Sequence, residues 1–174
     1  MKKTILLLTA IFMTYIGIGR FIEKADMIPS DAIRMRIVPN SNTEYDQSIK
    51  MKVKSEVEKE VFAVLKDTKG LDDARNHLKN NLPVIDSAVS NVLNKENYTL
   101  GYQIHYGMNY FPEKEYKGVT YKAGDYESLV VTLGEGKGDN WWCVLFPPLC
   151  MIEADESDEV EYKLFVEELI DKYL

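Results

Sequence analysis

Two long segments of the chain carry apolar residues at helical spacing. The stripe of the first segment consists of Ile49, Val53, Val57, Val61, Val64 and Leu65, and that of the second of Ala74, Leu78, Leu82, Ile85, Val89 and Val92. Such stripes are typical of amphipathic helices that lie on a core. Ser41-Asn42-Thr43-Glu44 has capping-box spacing for the first helix, and Gly70 should end it. Pro83 predicts a break or kink in the second.

Other segments alternate apolar and polar residues, which predicts strands with one packed face and one wet face. Ile33, Met35 and Ile37 alternate with two arginines before Pro39. From Tyr98 to Tyr110 the even positions are mostly aromatic or aliphatic, and the odd ones include Gln103 and His105. Leu129, Val131 and Leu133 mark a further strand, and a short extended piece is expected at Val119–Lys122.

This order of elements predicts the fold class. With a final helix from about Asp158, the chain runs β-α-α-β-β-α. Such an order predicts an α+β domain with a small, mainly antiparallel sheet and helices on one face. We assign residues 32–174 to this single domain and residues 23–31 to a linker.

Residues 1–22 differ in composition from the rest. Lys2 and Lys3 precede an uncharged run from Thr4 to Gly19, and Arg20 ends it. The run is shorter than the roughly 20 residues that cross a bilayer core, and its basic start and short apolar centre are typical of an export signal. Two interpretations of this segment stay open: a signal peptide that is cleaved after Gly19, and an uncleaved membrane anchor.

Charge narrows the class of partner. The net charge of −7 leaves no basic stripe for nucleic acid, and it disfavours electrostatic binding to anionic lipid. Membrane contact is therefore expected only through residues 4–19, and only if they are not cleaved.

The two cysteines, Cys143 and Cys150, are expected to form a disulfide in an exported protein. A zinc site would need two more ligands, and the chain's two histidines, His77 and His105, lie far away in sequence. We expect no metal and no other cofactor.

The sequence GEGKG at residues 134–138 resembles a phosphate-binding loop only in part. A P-loop places Ser or Thr directly after its lysine, whereas Lys137 is followed by Gly138. Alternating glycines also allow a chain to turn with positive φ and to lie close to other backbone. Neither histidine has a nucleophile nearby in sequence, so we predict no enzymatic activity.

The segment after this loop is strongly apolar and aromatic. Adjacent residues of an extended chain point to opposite sides, so only one of Trp141 and Trp142 can face the core. The segment is either a small extra core clamped by the disulfide or a recognition surface, because tryptophan is common in binding hot spots. The candidate contact residues are Asn140, Trp141, Trp142, Phe146, Pro147 and Pro148.

Two blocks of the sequence resemble the stage II sporulation protein R family. The first comprises Ile33–Ser41, Asp46-Gln47 and Lys50–Lys54, and the second comprises Ala123–Leu129 and the stretch GEGKGDNWWCVLFPPLC. The resemblance covers roughly residues 33–152.

The resemblance implies a function. Members of the family are made in the forespore and exported into the space between the two membranes. There they act as signals that activate a membrane-embedded aspartic protease, which cleaves the precursor of the sigma-E transcription factor. It implies a binding role and supplies no catalytic residues. If the resemblance misleads, the alternative is an exported cell-wall hydrolase or wall-binding module.

The composition break near residue 22 yields a first prediction. A protein comprising residues 28–174 should fold, because the apolar run before it belongs to export rather than to the domain. A well-dispersed amide NMR spectrum is the expected result. A collapsed spectrum would show that the N-terminal segment is part of the fold.

Overall fold

The computed structural model describes residues 29–116 and 119–151. It contains a four-stranded sheet and a separate two-stranded hairpin. The sheet strands are β1 (Ile33–Val38), β2 (Tyr102–Phe111), β5 (Gly124–Leu133) and β6 (Trp141–Phe146), and the hairpin strands are β3 (Lys114–Tyr116) and β4 (Val119–Tyr121). A short 3-10 helix, Leu149–Met151, follows β6. The predicted α+β class is confirmed.

The strand order of the sheet is β2-β5-β1-β6. β5 pairs with β2 in antiparallel fashion and with β1 in parallel fashion, and β6 pairs with β1 in antiparallel fashion. Strand β1 therefore lies between β5 and β6, which are consecutive in sequence. The chain that joins them must cross the end of β1.

Two helices cover one face of the sheet. Helix α1 spans Glu44–Leu65 and helix α2 spans Leu71–Lys95. Their predicted stripes form the core together with Ile33, Met35 and Ile37 from β1. Alternate residues of β5 and the last two residues of β6, Leu145 and Phe146, complete this core, which therefore lies between the helices and the sheet.

Several boundary predictions are wrong. Helix α2 is one helix that contains Pro83, so of the two alternatives predicted at this residue, a break or a kink, the break does not occur. Gly70 is the residue that precedes α2, because α1 already ends at Leu65. The N-cap of α1 is Thr43 and not Ser41, and its hydroxyl accepts a hydrogen bond from the amide of Asp46.

Two strand predictions also need correction. The strand predicted to begin at Tyr98 begins at Tyr102, and Tyr98 is a buried residue of the turn that follows α2. The segment after Asn140, for which no strand was predicted, is strand β6 at one edge of the sheet.

The predictions for the N-terminal segment and the C-terminal helix fall on residues 1–28 and 152–174, outside the described residues. Neither α1 nor α2, the helices that the structure describes, is apolar enough over a bilayer's thickness to cross a membrane.

Candidate functional site

The two sequence blocks that resemble the sporulation family meet at the end of β1. Residues 134–140, here called the glycine loop, cross from β5 to β6 over the turn formed by residues 39–42. The two segments are about a hundred residues apart in sequence, and they form one compact unit in the fold.

Backbone amides of the glycine loop hold it to this turn. Lys137 N donates to Asn40 O and Gly138 N donates to Pro39 O, both at 3.0 Å. The side chains of the turn also accept, since Asn40 Oδ1 binds Glu135 N at 3.0 Å and Asn42 Oδ1 binds Asp139 N at 2.6 Å. Buried or crowded backbone groups need such partners, so the turn fixes the path of the loop.

These bonds decide between the two interpretations of the glycines. A phosphate cradle needs free amides that point at the ligand. The amide of Gly136 donates to Leu133 O, and the other loop amides from residue 134 to residue 139 also have protein acceptors. The loop therefore serves the close approach of two backbone segments.

The glycines are needed for that approach. Gly134 and Gly136 have φ of +56° and +64°, a region that side chains rarely adopt. A Cβ on Gly138 would overlap the carbonyl group of Ser41.

The carboxylate of Asp46 anchors the turn to the first helix. Asp46 Oδ2 accepts from the Ser41 hydroxyl at 2.5 Å and from Asn40 Nδ2 at 3.0 Å. These bonds, with that of Ser41 contributing most, hold the pKa of Asp46 below its ordinary value of 3.8. A carboxylate whose pKa is lowered by folding stabilises the folded state at pH values above the ordinary pKa of the group. This stabilisation is lost as the pH falls through the folded-state pKa.

The two tryptophans lie on opposite faces of the sheet. Trp141 pairs with Ile37 and packs against the core beneath the helices, with Lys54 Nζ 5.1 Å from its ring centroid. Trp142 pairs with Arg36 on the other face, where its ring meets Tyr121 at 5.0 Å between centroids. Both tryptophans are half-buried.

The segment after the tryptophans is bound to itself and to the core. Cys143 and Cys150 form a disulfide with 5.5 Å between their Cα atoms. Phe146 is 1% exposed and Pro147 is buried, which removes these two predicted contact residues from the surface. Asn140 and Pro148 are half-buried and remain accessible in part.

The face of the sheet opposite the helices carries a cluster that the sequence pattern did not predict. Arg34 is 1% exposed, with its guanidinium carbon 3.3 Å from the ring centroid of Tyr126. Phe111 and Trp142 lie 5.6 and 5.9 Å from the same carbon. Arginine stacks favourably on aromatic rings. The sequence contains one indication that this face is covered. In β5 the run Leu129, Val130, Val131 is apolar on both faces, which is typical of a strand that is buried on both sides.

Two further cations lie beside this cluster. Arg36 is 5.0 Å from the ring centroid of Phe111, and its Nη1 donates to Tyr110 O at 3.3 Å. Lys114 is exposed, with its Nζ 5.5 Å from the ring centroid of Trp142. We call Arg34, Arg36, Lys114 and the rings of Phe111, Tyr126 and Trp142 the arginine face.

The histidines are not brought together. His77 Nδ1 lies 3.1 Å from Val64 O, and exposed His105 lies 3.2 Å from Asn109 Oδ1 on β2. Among residues 29–116 and 119–151, no group of three or more His, Cys, Asp or Glu residues is arranged to hold a metal ion.

Comparison with known proteins identifies the family to which this small α+β domain is similar. The profile of the stage II sporulation protein R family matches residues 29–156. The chain is 34% identical over 171 residues to the stage II sporulation protein R of Bacillus subtilis (strain 168), covering 92% of this chain and 76% of that protein. No solved structure matches.

The chain therefore belongs to the stage II sporulation protein R family, and its role is in sporulation. The resemblance noted in the sequence is confirmed. The family's name denotes no reaction, and the expected lack of enzymatic activity stays a prediction.

The contact between Gly138 and Ser41 can be tested by substitution. Gly138→Ala should lower the free energy of unfolding by about 1–3 kcal/mol, as overpacking does. It should also speed tryptic cleavage after exposed Lys137, because the loop lifts from the turn. The matched control is Gly70→Ala, where an added Cβ meets no heavy atom within 4 Å. Equal urea midpoints and cleavage rates for the two variants would contradict this account of the loop.

The disulfide gives a chemical test. Alkylation of exported protein without reductant should modify no cysteine, and alkylation after reduction should modify both Cys143 and Cys150, as read by mass spectrometry. With a sequence separation of 7, opening the bond by a double Cys→Ser change should lower stability by about 2–3 kcal/mol in the loop-entropy treatment. Two free thiols in the exported protein would show that the bond does not form.

Proposed function

We propose that this protein is an exported sporulation signal that binds a membrane-embedded aspartic protease and thereby triggers cleavage of the sigma-E precursor. Its place of action is the space between the forespore and mother-cell membranes. The observation that carries the proposal is family membership, together with the hydrogen bonds that join both family-like sequence blocks.

The geometry supports a binding role over a chemical one. Within the described residues, the glycine loop offers no free amide cradle, the histidines lie on different elements with different partners, and the cysteines are bonded to each other. What the unit presents instead is a fixed backbone and a half-exposed tryptophan. Such rigid aromatic side chains are typical of interface hot spots.

Trp142 is the better of the two tryptophans for contact with the protease. Trp141 packs against the core under the helices, whereas Trp142 lies on the sheet face that α1 and α2 leave uncovered. Asn140 and Pro148 are accessible in part, so they remain candidate contacts at the same sheet edge.

Co-expression tests the proposal. The chain, the protease and the sigma-E precursor are produced together in a cell that lacks other sporulation proteins. Cleavage should require this chain, and Trp142→Ala should abolish it while the domain stays folded. Loss of one hot-spot tryptophan removes on the order of 2–4 kcal/mol of binding.

Two matched variants interpret the result. Trp141→Ala should reduce cleavage only as far as it lowers the melting temperature, because that ring belongs to the core. Lys52→Ala removes an exposed pair with Glu96 on the helices and should leave cleavage unchanged. If the precursor is not cleaved with wild-type chain present, the proposed function is wrong. If a folded Trp142→Ala variant still activates, the contact surface lies elsewhere.

A further inference from the structure

The arginine face has an unbalanced charge. The whole chain carries a net charge of −7, yet this face gathers Arg34, Arg36 and Lys114 within one aromatic cluster. No carboxylate of residues 29–116 or 119–151 forms an ion pair with any of the three. Other cations of the same domain do have partners, as Arg75 does in Glu127 at 2.6 Å.

Arg34 shows how strongly the face departs from ordinary packing. Its Nε and Nη1 atoms are buried and have no hydrogen-bond acceptor among residues 29–116 and 119–151. Leaving charged donors buried without an acceptor is strongly unfavourable. Stacking on Tyr126 and a hydrogen bond with the same side chain offset part of this penalty, but a phenol carries no negative charge. The folded protein therefore holds a positive charge that no described group neutralises.

Arg36 and Lys114 bring this charge to the surface. Arg36 is half-buried and lies directly across from Trp142 in the β1–β6 register. No residue that the structure describes supplies an acceptor for its Nε. Lys114 is exposed, and its Nζ lies 5.5 Å from the ring centroid of the same tryptophan. An approaching carboxylate would meet two cations and an aromatic surface, with the buried charge of Arg34 behind them.

We propose that the arginine face is the site at which an acidic segment of the protease partner binds, with a carboxylate pairing to Arg36 and Lys114 beside the ring of Trp142. The proposal rests on the function proposed above, since it names the chemistry of that partner. Charge complementarity selects the occupant. Arginine forks match carboxylates, and a face whose three cations form no ion pair within the described part of an acidic chain repels basic partners and steers acidic ones.

A peptide probe tests the chemistry without the protease. The full chain, in a zwitterionic detergent, is titrated with a blocked pentapeptide that has two glutamates around a leucine. The readout is the pair of tryptophan indole N–H signals in the NMR spectrum, assigned with Trp142→Phe. The matched probe is the same peptide with glutamines, which has the same shape and no charge.

The expected result is a saturable shift of the Trp142 signal with the acidic peptide only, weakening as salt is added. Arg36→Gln should weaken binding about tenfold or more, the loss of a charge-assisted contact. Arg36→Lys, which keeps the charge, should retain most of it. Lys52→Ala, on the helical side, should bind as wild type does.

Three outcomes would overturn the proposal. The first is an equal shift with the glutamine peptide, and the second is acidic-peptide binding that Arg36→Gln leaves unchanged. The third concerns the acidic run of the chain itself, at residues 153–161. In a further variant, the carboxylates of this run are changed to amides. If this variant shows the same shift of the Trp142 signal as Arg36→Gln, and if it alone binds the acidic peptide, the arginine face is occupied by the chain's own acidic run.

The cleavage assay separates this inference from the function on which it rests. Arg36→Gln should lower precursor cleavage, and Arg36→Lys should restore it at an unchanged melting temperature. Cleavage that requires the chain but ignores Arg36 would leave the proposed function standing and remove the acidic-segment site.

Discussion

The structure depends on the insertion of β1 between two strands that are consecutive in sequence. β5 and β6 would be hairpin neighbours, but β1 lies between them and pairs with both. The connection between β5 and β6 must therefore pass over the chain as it leaves β1. That crossing brings two backbone segments closer than side chains allow, so it requires glycine at the contact and hydrogen-bond acceptors in the turn beneath. The helices, the core and the position of both tryptophans follow once β6 lies beside β1.

The two faces of the sheet are stabilised in different ways. On the helix side, aliphatic residues from β1 and β5 meet the stripes of α1 and α2, and burial of apolar surface supplies the stabilisation. On the other side, guanidinium groups are stacked among aromatic rings, and three of their N–H groups find no acceptor in the part of the chain that the structure describes. A face of this kind stabilises the fold less than an apolar one of equal area would. Its chemistry is better suited to an interaction than to a core.

The sequence allowed much of the fold to be predicted, and the missing part has a physical reason. The helix stripes and the alternation of Ile33, Met35 and Ile37 are periodic patterns within short segments, so the helices and strand β1 are predicted correctly. Pro83 is tolerated because tertiary packing holds α2 as one helix on either side of it. β6 was not predicted, since WWCVLF has no polar alternation and its pairing with β1 is a contact between distant segments. At the site, the role of the glycines and the opposed tryptophans followed from backbone geometry. The burial of Arg34 did not, because an arginine that alternates with apolar residues ordinarily faces water.

The inserted strand also governs when this protein can become folded. β1 is the first element of the sheet to be synthesised, and it pairs only with residues that come about ninety or more positions later. Contacts of such long range form slowly, because a long loop must close before any pairing rewards it. A chain that ends before β6 leaves one edge of β1 without a partner, and the arginine face then lacks Trp142. Because β1 is a central strand that needs both of these late partners, the sheet and the arginine face are complete only once nearly the whole chain is available for folding.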